Sequence, residues 1–143
     1  MSEYEIKRDL FLETLRQEGF QDAFEEVTLD SLVGFRSFQD MNNGRCMIAI
    51  MLDDSMYSTI SIIFGSLDNV GKKEKILDLF NDLNQSYKSS KFYLNDNNEF
   101  VAQTGYTATS KEFNGELLLT SVLSLYRDIE DKEYAKVMRV LWS

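Results

Sequence analysis

Apolar residues recur at helical spacing along the first segment of the chain. From Ser2 to about Glu18, Tyr4, Phe11, Leu12 and Leu15 share one face at about 100° per residue, and Ile6 and Leu10 add a stripe beside it. Ser2 followed by Glu5 is a capping-box pattern, in which the carboxylate reaches back to the backbone that opens the helix. Gly19 is a natural C-terminal stop.

The period then shortens. After a connection containing Phe20, Phe24 and Val27 come three β-prone runs, Leu32–Phe38, Arg45–Leu52 and Tyr57–Phe64. Asp40, Met41, Asn42, Asn43 and Gly44 separate the first two, and Asp53, Asp54 and Ser55 the second and third. Turn chemistry between short strands predicts an antiparallel meander. Gly65–Gly71 reads as a loop. From about Lys72 to Tyr87 helical spacing returns, with Ile76, Leu79, Phe80, Leu83 and Tyr87 in one stripe and Asp78, Asn81, Asp82 and Gln85 facing away. Lys91–Leu94 and Phe100–Tyr106 flank Asn95–Asn98 as a second hairpin. A helical segment runs from about Asn114 to Trp142, with Asp128–Asp131 marking a kink or division.

This order predicts one domain over residues 1–143 of class α+β. It is a single antiparallel five-stranded sheet with helices mainly on one face, in the order α-β-β-β-α-β-β-α.

Alternation within the central runs gives the sheet two faces. Cys46, Ile48, Ile50 and Leu52 lie on one side with Ile60, Ile62 and Phe64; Met47, Ala49 and Met51 lie on the other with Tyr57, Thr59, Ser61 and Ile63. A face wetted by solvent should be polar, and this second one is half apolar. Contiguous apolar area on a domain marks an interface, and methionine suits adaptable contacts. Met47, Met51, Tyr57 and Ile63 are therefore candidate protein-interface residues. The alternative is that another element, such as the C-terminal helix, covers them.

Charge narrows the partners. Fifteen basic against 24 acidic residues give −9, which repels phosphate backbones and anionic membranes. Lys72, Lys73 and Lys75 form the one basic concentration, read as a solvated first helical turn. No apolar run approaches the roughly 18–20 residues that span a bilayer. The N-terminal stretch is acidic and lacks a leader pattern, and the lone Cys46 fits a reducing compartment, so a cytoplasmic location is expected.

The catalytic inventory is thin. There is no histidine, which removes the commonest general base and nitrogen ligand, and with one cysteine a structural zinc site is not built. Gly65 to Gly71, Lys72 and Lys73 lacks the hydroxyl that completes a phosphate loop, and Asn95–Glu99 lacks the spacing of a calcium loop. Carboxylates cluster at Asp53 and Asp54, at Glu25 and Glu26, and at Asp128, Glu130 and Asp131, all in turn-like contexts. Cys46 on an apolar strand face reads as a small hydrophobe. No catalytic, cofactor-binding or metal residues are assigned.

The meander Leu32–Phe64, the helix Lys72–Tyr87 after its loop, the hairpin Lys91–Tyr106 and the closing helix from Asn114 together resemble the YbjN-like family of bacterial sensory transduction regulators. The resemblance covers nearly the whole chain and rests on the pattern of elements, without a diagnostic motif. It implies the fold of type III secretion chaperones, dimerisation, and in the chaperone branch the binding of extended protein segments. It carries over no catalytic residue. The apolar breadth of the final helix beyond Asp131 departs from it.

The expected function is a non-catalytic protein-binding module, regulatory or chaperone-like, forming a homodimer. It would use another protein as partner and no nucleic acid, membrane or cofactor. Two alternatives stand beside it: an acidic immunity or inhibitor protein that neutralises a basic toxin or nuclease, and a carboxylate-dependent enzyme. The first would show a dense acidic patch, and the second a buried carboxylate pair in a pocket.

Overall fold

Ser2 stands in extended backbone ahead of the first helix, α1 (Glu3–Gln17), and its N–H donates to Glu5 Oε1 at 3.1 Å. The acidic first turn and Arg16 in the last turn both suit the helix dipole. The computed structural model describes residues 1–41 and 44–143. Asn42 and Asn43, the middle of the first expected turn, lie outside the described residues.

The strands are β1 (Glu25–Leu29), β2 (Leu32–Met41), β3 (Gly44–Asp53), β4 (Tyr57–Ser66), β5 (Lys91–Leu94) and β6 (Glu99–Thr107). They form one open antiparallel sheet in the order β1-β2-β3-β4-β6-β5. The class is therefore α+β as expected, but the sheet has six strands, not five. The extra strand is β1, which pairs with β2 from Glu25↔Arg36 to Leu29↔Leu32. Its tight turn places Ser31 at φ 62°, an unfavourable left-handed position for a residue with a Cβ. The element order becomes α-β-β-β-β-α-β-β-α.

Helix α2 (Lys73–Ser86) follows a 3₁₀ turn at Val70–Lys72. Helix α3 (Gly115–Asp128) continues through a π-helical turn, Ile129–Glu133, into α4 (Tyr134–Trp142). The expected break near Asp128–Asp131 is thus a change of helical pitch. The extra residue in that turn rotates the apolar stripe, so that Ile129 and Val137 both reach the core.

The core joins Phe11 and Leu15 of α1, Ile76, Phe80 and Leu83 of α2, and Leu118, Val122 and Leu125 of α3 to one face of the sheet. That face carries Phe35, Ile48, Ile50, Leu52, Ile60, Ile62, Phe64, Phe92, Phe100 and Ala102, matching the alternation read from the sequence. Phe64, Phe80, Phe92 and Phe100 form a tilted and edge-on aromatic cluster, with ring centroids 5.9–6.5 Å apart. Gly65 sits beside it at φ 153°, where the β4–β6 register shifts; a Cβ there would stand 2.9 Å from the Phe100 ring. Among the described residues no helix is long and apolar enough to cross a membrane.

Candidate functional site: the outer sheet face

Because alternate residues of a strand point to opposite faces, the register fixes what the second face displays. Met47 pairs with Ile63 on one side and Phe38 on the other; Ile63 pairs with Val101, and Val101 with Tyr93. The result is an apolar rung, Phe38–Met47–Ile63–Val101–Tyr93, crossing five strands. Val101 is 3% exposed yet stands apart from the core cluster. At the open end Phe38 is 52% exposed.

Apart from Met51, the neighbouring rungs are polar or small. Arg36, Ala49, Ser61, Gln103 and Lys91 make one, and Gly34, Met51, Thr59 and Gly105 the next. Of the four sequence-predicted interface residues, Met47 and Ile63 are brought side by side. Met51 is four residues along β3 and 44% exposed, and Tyr57 lies opposite Thr107 at the corner, 65% exposed. All four share the outer face, and the helices pack on the other one. The C-terminal helix therefore does not cover them.

Phe38, Val101 and Tyr93 escaped the sequence reading. The β2–β3 hairpin register leads from Met47 to Phe38, but Val101 and Tyr93 join the rung only through the β4–β6 pairing, which no hairpin turn sets.

Cations ride over the two ends of the rung. The Arg45 guanidinium lies 5.6 Å from the Phe38 ring centroid, and Lys91 Nζ lies 5.5 Å from that of Tyr93. Arg36 forms a two-pronged pair with Glu25, both contacts at 3.1 Å, and this holds the Glu25 carboxyl below its ordinary range. With Asp40, Asp53 and Glu99 these groups leave the outer face near charge balance. Most of the chain's acidic excess sits on the helices and connections.

Asp53, Asp54 and Glu130 of the carboxylate clusters accept hydrogen bonds from nearby backbone or hydroxyl groups. Asp53 Oδ1 accepts from the Ser55 backbone at 2.9 Å, and Asp54 Oδ1 from the Tyr4 N–H at 3.1 Å. Glu130 accepts from the Tyr126 hydroxyl at 2.7 Å. Glu133, unsuspected in the sequence, is 2% exposed; it accepts from the Tyr87 hydroxyl at 2.5 Å and pairs with Lys136 at 2.9 Å. Burial and that carboxylate together push the Tyr87 hydroxyl well above its ordinary range. Among the described residues no group of three or more His, Cys, Asp or Glu is placed to hold a metal ion. Burial raises the Cys46 thiol to about 11.

No family model, curated protein or solved structure matches the chain, so the resemblance to the YbjN-like family rests on the pattern of elements alone.

Proposed function

We propose that this chain is a non-catalytic protein-binding module, regulatory or chaperone-like, whose outer sheet face packs against a second copy of itself. The observation that carries the reading is the apolar rung Phe38–Met47–Ile63–Val101–Tyr93 on a face that the helices leave bare.

Two quantities favour a second copy as the occupant. Strands spaced about 4.8 Å apart and rising about 3.4 Å per residue give this sheet a footprint of roughly 800 Å², which matches what each partner buries in a standard stable interface. The second is charge. Two chains of −9 repel wherever their helical layers approach. The sheet face mixes Arg36, Arg45 and Lys91 with Glu25, Asp40, Asp53 and Glu99, so face-to-face packing avoids that repulsion and allows cross-pairing.

Met51→Glu tests the reading by sedimentation and thermal melting on the same sample. Met51 is exposed in the single chain, so the variant monomer should keep its stability to within about 0.5 kcal/mol. Association should weaken at least about tenfold, because a carboxylate would be buried unpaired. A wild-type chain that stays monomeric at about 0.1 mM would refute self-association through this face.

A further inference from the structure

The sheet has a gap along one edge, and we propose that it accepts an extended acidic segment of another protein as an added strand. Strand β6 runs to Thr107, but its neighbour β5 begins only at Lys91, opposite Gln103. Among the described residues, β6 beyond Gln103 is paired with β4 on one side and with no strand on the other.

The direction of the free backbone groups follows from the ladder, in which alternate residues bond to alternate sides. Phe92 turns its N–H and C=O away from β6, bonding the Asn84 side chain at 2.6 and 3.0 Å. Lys91 and Tyr93 therefore bond to Gln103 and Val101. The Asn95 N–H reaches the Glu99 carbonyl at 3.1 Å, and the Ala108 N–H reaches Met56 O on the β4 side at 2.8 Å. Odd-numbered residues of β6 thus face β5, and even-numbered ones face β4. Gly105 and Thr107, both exposed, point N–H and C=O into the gap.

The chain before β5 does not fill the gap. Ser89 accepts from Thr104 Oγ1 at 3.3 Å, which holds residues 88–90 toward the helix layer. A cavity of about 460 Å³ opens at the corner of the outer face, and one of about 260 Å³ on the α3 side; Ser89, Ser90, Thr104 and Gly105 line both. The larger is lined by Lys88 and Lys91 and by no carboxylate, in a chain with 24 acidic residues. The smaller carries Asp128, so the acidic side chains of an occupant belong on the outer-face side of the gap. An edge strand with unused backbone groups is a template for pairing, and these two lysines select an acidic occupant. The gap opens sideways in the plane of the sheet, so a copy packed on the face leaves it accessible. The two sites share Tyr57 and Lys91, which line the cavity and lie on the face, whereas the backbone groups of Gly105 and Thr107 belong to the edge alone.

The test uses the full chain and a panel of fluorescently labelled peptides about seven residues long, alternating Asp or Glu with Val, Thr or Tyr. Saturable binding that weakens with salt is expected, with amide shifts in nuclear magnetic resonance spectra at Gly105 and Thr107. Replacing the acidic positions by Lys should abolish it, as should N-methylation of alternate peptide bonds. Thr107→Pro removes an N–H that bonds no neighbouring strand, so the fold should tolerate it. It should weaken binding about tenfold. Should that variant fail to fold, the N-methylated peptides decide on the wild-type protein. Lys88→Glu should weaken the acidic peptides, whereas Met51→Glu should leave them bound, which separates this site from the face. Absence of saturable binding across the panel overturns the proposal. So does binding indifferent to N-methylation, or amide shifts confined to the outer face.

Discussion

Gly115→Ala probes the contact that fixes the helical layer against itself. Gly115 opens α3 just after Asn114, whose Oδ1 caps the helix by accepting from the Leu117 N–H at 3.1 Å. It is buried where α1 crosses. A Cβ added there would lie 2.2 Å from Thr14 Oγ1, 3.0 Å from Thr14 Cβ and 3.1 Å from the Leu10 carbonyl. The hydroxyl cannot simply swing aside without cost, because Thr14 is 6% exposed and donates to Leu10 O at 3.2 Å. Overpacking of this kind costs about 1–3 kcal/mol, and the better helix propensity of alanine returns at most about 1. A net loss of about 1–2 kcal/mol follows, or a Tm lower by roughly 3–8 °C for a domain of this size. Urea unfolding of Gly115→Ala, Thr14→Ala and the double variant measures it. Removing the Thr14 hydroxyl and methyl empties much of the space the new methyl needs. The two changes should therefore couple favourably by about 1 kcal/mol. Additivity within about 0.3 kcal/mol, or a single variant as stable as wild type, would refute the packing argument.

Two further predictions concern buried groups. Lys7 is fully buried, and its Nζ donates to the Ser55 carbonyl at 2.6 Å, pinning the β3–β4 turn to α1; Lys7→Met should cost about 1–3 kcal/mol by leaving that carbonyl unpaired, and unchanged urea unfolding would contradict this. Because Cys46 is raised from 9.0 to about 11 by burial, its contribution is fully present below pH 9 and is lost as pH rises through 11. A difference curve of Cys46→Ala against wild type should therefore slope only in that window, and folded Cys46 should resist alkylation at pH 8 until urea exposes it.

The sequence made the inner layer legible because burial there is redundant. Each of α1, α2 and α3 repeats its apolar spacing over several turns, and Ile48, Ile50, Ile60 and Ile62 alternate cleanly, so a single exception could not hide the pattern. Strand β1 was not legible for the opposite reason. Four of its five residues are exposed, and its pairing with β2 is enforced by backbone bonds and the Arg36–Glu25 pair, neither of which leaves an apolar signature. Lys7 and Glu133 were missed alike. A charged residue in a helix reads as solvent-facing unless its partner, here Ser55 O or the Tyr87 hydroxyl, is already known to stand opposite.

The candidate surface divides along the same line. Met47, Met51, Tyr57 and Ile63 were visible because apolar residues occupied positions that alternation reserved for polar ones. Their extension to Val101 and Tyr93 was invisible, because it depends on the β4–β6 pairing, which brings together strands separated by α2 and β5 and whose offset no turn sets. The open edge at Gly105 and Thr107 lies further still from the sequence, since it consists of backbone groups that every residue possesses. What creates it is a difference in length: β6 is nine residues long and β5 only four. Side-chain chemistry can mark a face, but an unpaired edge is a property of topology, and only the arrangement of strands reveals that Lys88 and Lys91 flank one.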